Sequence, residues 1–316
     1  MKVVLPGGSG QVGTVLARAF HGEGHDVVVL SRDPKPAPWR VAEWDAETLG
    51  DWTKELDGAD VVVNLAGRSV NCRYGEENRR LIVDSRVRST RIVGEAIAHA
   101  KPAPRVWLQA STATIYAHRF DAANDEATGI LGGSEPGAPD TWNFSIEVAK
   151  SWERAVDEAL TPGTRKVKMR SAIIMSPDRG GPFDLLAALV RRGLGGRAGD
   201  GKQFVSWVHD ADFVAAVRWL IEHEDVEDAV NIAAPNPVPN AEFMRALREA
   251  LGVGFGLPAT EWMLEIAAFF MRTETELLLK SRRVVAGILK QRGFEFAFPT
   301  WPEAARDLGR RWREMR

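Results

Sequence analysis

Cysteine occurs once in the 316 residues, as Cys72, so an intramolecular disulfide is excluded, and no Cys/His cluster has the spacing of a zinc site. A reducing, cytoplasmic setting is expected. Charge of one sign is scarce too: 41 Lys and Arg face 43 Asp and Glu, a formal net charge of −2. Neutralising several phosphates takes a clustered cationic excess, so a general nucleic-acid binder is excluded. No apolar run reaches the roughly 18 residues of a bilayer-spanning helix. The chain opens on a strand-like "MKVVLPGG" with no leader pattern, so no membrane partner is expected. Tyrosine is nearly absent, Tyr74 and Tyr116 being the two.

Tryptophan, by contrast, occurs eleven times, and core filling explains this better than ring stacking on a ligand. The first half alternates short apolar runs with amphipathic stretches, the pattern of parallel strands joined by crossover helices. "KVVLP", "DVVVLSR", "ADVVVNLAG", "RVWLQAST", "KVKMRSAIIM" and "DAVNIAA" read as strands, and residues 76–100 and 143–159 as helices. A short helix is expected near Trp52, and a site-covering loop over Asp121–Thr141. The expected fold class is α/β, a doubly wound parallel (Rossmann) sheet with a smaller, mostly helical C-terminal lobe. Residues 1–175 and 205–235 are assigned to the dinucleotide-binding domain, and 176–204 and 236–316 to the lobe.

"PGGSGQVG" ends a strand and opens a helix. Gly7, Gly10 and Gly13 there make a tight turn and let a pyrophosphate meet the backbone N–H groups of the helix N-terminus. Gly8, Ser9, Gln11 and Val12 complete the expected cradle. At the end of the second strand, where NAD sites place an acid, stand Ser31 and Arg32. A guanidinium there pairs with a ribose 2′-phosphate, and Asp33 comes one residue too late to compete, so NADP(H) is the expected cofactor. Asn64, Leu65, Ala66 and Gly67 end a further buried strand on the same sheet edge, where ligands of open α/β sheets collect. A solvated arginine and a plain strand-to-loop turn are the bland alternatives for Arg32 and Asn64–Gly67.

His209, Asp210 and Asp212 have the chemistry of metal ligands, yet Asp210 is well placed to cap a helix, and no further ligand lies nearby. Capping and lobe docking are expected, and no metal. Arg79, Arg80, Arg86, Arg88 and Arg91 read as a mostly solvated helix face. Cys72 reads as a small buried hydrophobe rather than a nucleophile.

Together these residues resemble the extended short-chain dehydrogenase/reductase superfamily, which contains sugar-nucleotide epimerases and dehydratases. The resemblance covers the whole chain. "NLAGRSVNCRY", "DSRVRSTR", "FSIEVAKSWE", "SWVHDADF" and "GFEFAFPTWPEAARDL" are similar to a subgroup of epimerase family proteins with an uncharacterised C-terminal domain. The resemblance implies a Ser/Thr, Tyr and Lys catalytic set, in which the tyrosine moves a proton and the lysine lowers its pKa. Ser111, with Thr112 beside it, matches the serine, and Ala110 lies on the cofactor side. Lys150 matches the lysine, which also holds the nicotinamide ribose. The resemblance further implies that the "SRV" segment containing Arg86 lies beneath the nicotinamide end. Ile146 stands where the tyrosine should be, four residues before Lys150. Tyr116, on the same strand edge as Ser111, is the expected stand-in, against a pocket-shaping role. Glu147, three residues before Lys150, reads more simply as its ion-pair partner.

Two functions follow as expectations. One is an NADP(H)-dependent oxidoreductase or epimerase-like enzyme acting on an unidentified small molecule, with Ser111 and Lys150 polarising a carbonyl. The other is an NADPH-binding sensor that kept the cradle and lost proton transfer. The resemblance also allows a homodimer through the helices at 76–100 and 143–159.

Overall fold

The computed structural model describes residues 1–133, 135, 139–259 and 279–316. Parts of the loop expected over Asp121–Thr141 and of the expected helical lobe therefore lie outside the described residues. Seven parallel strands form the main sheet: β1 (Lys2–Pro6), β2 (Asp26–Ser31), β3 (Arg40–Glu43), β4 (Val61–Asn64), β5 (Val106–Thr112), β6 (Arg165–Ser171) and, numbered later in chain order, β10 (Asp228–Ile232). Their spatial order is β3-β2-β1-β4-β5-β6-β10. The order reverses between β1 and β4, and ligands of such sheets bind at the carboxyl ends of the strands beside this reversal.

Side chains alternate across a strand, so each strand feeds two cores. Val3, Leu5, Val27, Val29, Val61 and Leu108 pack with Val15, Leu16 and Phe20 of α1 (Gln11–Gly22) and Phe213 and Val217 of α5 (Asp210–Glu222). Val4, Val28, Val62 and Trp107 face the opposite way, onto Ile92, Val93 and Ile97 of α2 (Glu76–His99) and Val156 of α3 (Asp140–Glu158). The structure thus shows the doubly wound fold. The short helix at Trp52 is a 3₁₀ turn, Asp51–Glu55.

"KVKMRSAIIM" does not make one strand. Ala172 N–H turns to the Ile232 carbonyl at 2.9 Å, and β7 (Ile173–Met175) leaves the main sheet to pair with β9 (Trp207–His209). A further short pair joins β8 (Phe204–Val205) to β11 (Val238–Pro239). The lobe core packs α4 (Pro182–Arg191), α6 (Asn240–Leu251) and α8 (Trp301–Glu314) around Phe183, Trp207, Phe243, Leu247 and Trp301. The Phe243 and Trp301 rings stack at 4.0 Å. Before α8 the chain returns to the sheet. Leu289 of α7 (Gly287–Gln291), with Phe294 and Phe296 beyond it, packs on the core of α1 and α5, although the sequence reading gave this stretch to the lobe.

Buried polar groups tie the lobe down. Asp212 accepts from the N–H groups of Ala297 (2.7 Å) and Phe298 (3.0 Å), and Arg311 grips Asp210 with two bonds of 2.8 and 2.7 Å. Two side chains share the cap of α5. His209 is the N-cap residue, its Nδ1 accepting from Ala211 N–H at 3.1 Å and its Nε2 lying 3.2 Å from Asp307. Asp210 accepts from the same Ala211 N–H at 3.1 Å while it holds Arg311. Among the described residues no helix is long and apolar enough to cross a membrane.

Candidate functional site

The glycine-rich turn links β1 to α1, and its three motif glycines are needed for different reasons. Gly7 has φ +71°, and a Cβ there would lie 2.6 Å from the Ala66 Cα. A Cβ on Gly13 would lie 2.3 Å from the Gly8 Cα. These two are glycines because the protein packs on them. A Cβ on Gly10 would meet nothing within 4 Å, so protein packing does not account for this glycine, and the space above it is free for a ligand. Gly10 is also the N-cap of α1, with no side-chain cap and no acid in the first turn. The partial positive charge of the helix end is left uncompensated. Gln11 Nε2, beside it, is buried with no hydrogen-bond partner among the described residues. Ser9 is exposed, and Val12 half-buried.

At the end of β2, Ser31 is buried and its hydroxyl donates to the Asp33 carbonyl at 3.0 Å. The Asp33 carboxylate pairs with Lys35 at 3.2 Å. Arg32 is exposed, and no ion pair or hydrogen bond engages it among the described residues. On the other side of the turn, Asn64 donates to Gln109 (2.9 Å) and accepts from Ala66 N–H (3.1 Å), and Leu65 N–H donates to the Pro6 carbonyl at 2.8 Å. Asn64–Gly67 is thereby locked beside the glycine turn. An uncapped helix end, open space at Gly10 and a guanidinium unengaged among the described residues have the donor set for a dinucleotide.

One strand further, the expected catalytic groups do not meet. The Ser111 hydroxyl donates to Glu153 Oε1 at 2.6 Å. Glu153 takes two bonds from Arg170, at 2.8 and 2.7 Å, and Arg170 Nη1 donates to the Tyr116 hydroxyl at 3.1 Å. Tyr116 in turn donates to Asn231 at 2.9 Å. This chain of bonds joins β5, α3, β6 and β10 through the interior, and Ser111 and Tyr116 are both buried. Burial pushes the Tyr116 phenol above its ordinary pKa, although Arg170 and Asn231 work against the rise. Burial likewise opposes the charge on Arg170, but its bonds to Glu153 and its attraction to that carboxylate outweigh this and raise its pKa. Ser111 and Tyr116 are therefore ties between elements. The hydroxyl of Tyr116, the expected stand-in, is thus held between Asn231 and Arg170.

Ile146 is fully buried. A Cβ on Gly132 would lie 2.6 Å from its Cδ1, and one on Gly133 would lie 3.2 Å from Lys150 Nζ. This glycine pair covers the α3 face that carries Ile146 and Lys150. Lys150 sits 3.4 Å from Glu147, the ion pair read from their spacing.

The neighbouring face of α3 carries Phe144, Ser145, Val148 and Trp152, which wall a cavity of about 130 Å³ against α2 and the end of β5. Thr112, Thr114, Tyr74, Arg86 and Arg282 also line it. Successive residues of a strand point to opposite faces, so Ser111 and Thr112 cannot share a side. Of the two, Thr112 lines the cavity. Of the two tyrosines, Tyr74 lines the cavity and Tyr116 does not. Arg86 differs from the other arginines of its helix. Arg79, Arg88 and Arg91 pair with Asp140, Asp84 and Glu158 at the surface, whereas Arg86 turns inward against Gly67.

A family model described as the NAD dependent epimerase/dehydratase family matches residues 3–233. The chain belongs to that family. Residues 259–308 match a model described as a domain of unknown function, DUF1731. Epimerase family protein SDR39U1 of Homo sapiens is 29% identical over 313 residues, covering 98% of this chain and 99% of that protein. YfhF of Bacillus subtilis is 27% identical, covering 94% of each. Among solved structures, human SDR39U1 (isoform 2) with NADPH superposes with a TM-score of 0.85 at 27% identity, covering 98% of this chain and 99% of that one. A nucleoside-diphosphate sugar epimerase from Corynebacterium glutamicum superposes with a TM-score of 0.75 at 28% identity, over 98% of this chain but 58% of that one.

Proposed function

We propose that the protein is an NADP(H)-dependent oxidoreductase that reduces a small carbonyl compound with a rearranged hydroxyl set. The open space over Gly10, at an uncapped helix end with no acid in its first turn, carries the reading. The unpaired Arg32 supports the 2′-phosphorylated cofactor, and the similarity to a protein crystallised with NADPH agrees with it. When bound, NADPH supplies a hydride. The rest falls to the chain. Thr112 Oγ1 accepts from Thr114 N–H at 3.2 Å, which leaves its own O–H to donate to a carbonyl oxygen in the cavity. Tyr74 lines the same cavity and lies within the field of Arg86. It is the phenol suited to pass a proton to that oxygen, a nearby cation favouring the phenolate it leaves behind. Trp152 and Phe144 keep water from the apolar wall.

The experiment follows NADPH oxidation over a panel of small aldehydes, ketones and oxo acids. Removing a positioned proton donor costs typically about a hundredfold or more. Tyr74→Phe is expected to lower turnover by at least about tenfold, and Tyr116→Phe to leave it within about twofold. Loss with Tyr116→Phe and none with Tyr74→Phe overturns the assignment. The burial of Ile146 and the commitment of Ser111 and Tyr116 favour a second reading, an NADPH sensor. Tight NADPH binding with no oxidation across the panel would select it.

A further inference from the structure

The cavity beside the cradle holds one guanidinium that the described residues leave without an anion. Arg86 lines it, and no carboxylate is among the described residues that do so. Arg86 Nη1 donates to the Ile82 and Arg68 carbonyls, both at 3.0 Å. Its carbon Cζ lies 4.9 Å over the Trp152 ring. Neither Nε nor Nη2 engages an acceptor among the described residues, and no acid pairs with the group. Burial lowers its pKa to about 10, against weaker support from Tyr74 and Cys72, so it stays cationic at neutral pH. A desolvated cation without an anion is costly, and such a group is a binding site for one.

We propose that this cavity binds a small organic monocarboxylate whose body is a single ring or a short apolar chain, with the carboxylate on the Arg86 guanidinium. The proposal deepens the oxidoreductase reading by naming its substrate class, an oxo acid or aldehyde acid. The free edge of a guanidinium matches a carboxylate in two parallel bonds. The carbonyl to be reduced then falls to Thr112, and the body of the molecule to Trp152 and Phe144. Size suits a single ring: the cavity of about 130 Å³ is close to the roughly 150 Å³ that holds a benzene ring. It is well below the roughly 300–1,000 Å³ of pockets for larger ligands.

Calorimetric titration of the full chain with benzoate, benzyl alcohol and UDP-glucose, with and without saturating NADPH, tests this. A charge-assisted pair predicts that benzoate binds about ten- to a hundredfold more tightly than benzyl alcohol. Arg86→Gln should erase that margin and Arg86→Lys restore part of it. The comparison of the two ligands on the unaltered protein stands alone should Arg86→Gln fail to fold. Equal affinities, no benzoate binding, tighter binding of UDP-glucose, or one-for-one displacement of benzoate by NADPH each overturns the proposal. Benzoate binding with no NADPH binding in the same preparation sinks the oxidoreductase reading and upholds the carboxylate site.

Discussion

The glycine turn and the end of β5 lie two strands apart on one sheet edge, and the sequence dresses both in family motifs. At the turn, donors are left open: Gly10 has empty space above it, and Arg32 meets no partner among the described residues. At β5, the motif groups are taken up by the protein. Ser111 binds Glu153, Tyr116 binds Asn231 and Arg170, and Ile146 is sealed beneath Gly132 and Gly133. A motif residue is available to a ligand only where the fold gives it nothing else to bind. The glycine turn keeps its open positions, and under the function proposed above the reaction takes place in the cavity lined by Thr112, Tyr74 and Arg86.

The sharpest way to break the comparison is to cut the buried chain. Glu153→Ala leaves Arg170 inside without its carboxylate and should cost about 3–5 kcal/mol of stability, read from urea unfolding. A catalytic Glu153 would instead lose activity at unchanged stability. Arg32→Ala should weaken NADPH by about ten- to a hundredfold through loss of roughly 1.5–3 kcal/mol and leave NADH nearly unchanged in a fluorescence titration. Equal affinities of the unaltered protein for both cofactors would remove Arg32 from the account. Tyr116→Phe should cost about 1 kcal/mol for its lost hydrogen bonds, in the same unfolding assay. The smallest effect is that of pH. Burial lowers the pKa of His209, and Asp210 and Asp307 only partly oppose this. The unfolded chain therefore binds its proton first as pH falls below about 6.5. Stability should be full above that value and decline below it, and His209→Gln should flatten the slope of melting temperature against pH. His118, also lowered mainly by burial, adds in the same direction and sets the residual slope.

Most strands of the main sheet, the glycine turn and the ion pair of Lys150 with Glu147 were legible because they rest on local pattern: buried apolar runs, glycines between a strand and a helix, and helical spacing. The reaction corner was less legible for reasons equally physical. Ser111 and Thr112 are adjacent in the chain, and choosing between them requires knowing which face of β5 meets α3. Tyr116 looked available until β10 supplied Asn231, 115 residues away. Arg86 belonged to a run of arginines that reads as one solvated face, and only the packing of α2 against Gly67 and Trp152 separates it from them. The return of residues 287–296 to the sheet left no local mark either.

The most direct test of the central claim sets Gly10→Val beside Gly13→Val in one experiment, measuring NADPH affinity by calorimetry and melting temperature on each. Gly10→Val should keep the melting temperature of the unaltered protein and lose NADPH by at least about a hundredfold, because its side chain fills only the space a pyrophosphate needs. Gly13→Val should destabilise the fold itself, its Cβ lying 2.3 Å from the Gly8 Cα. Normal NADPH binding by a folded Gly10→Val protein would contradict the claim that this end of the sheet is held open for a dinucleotide.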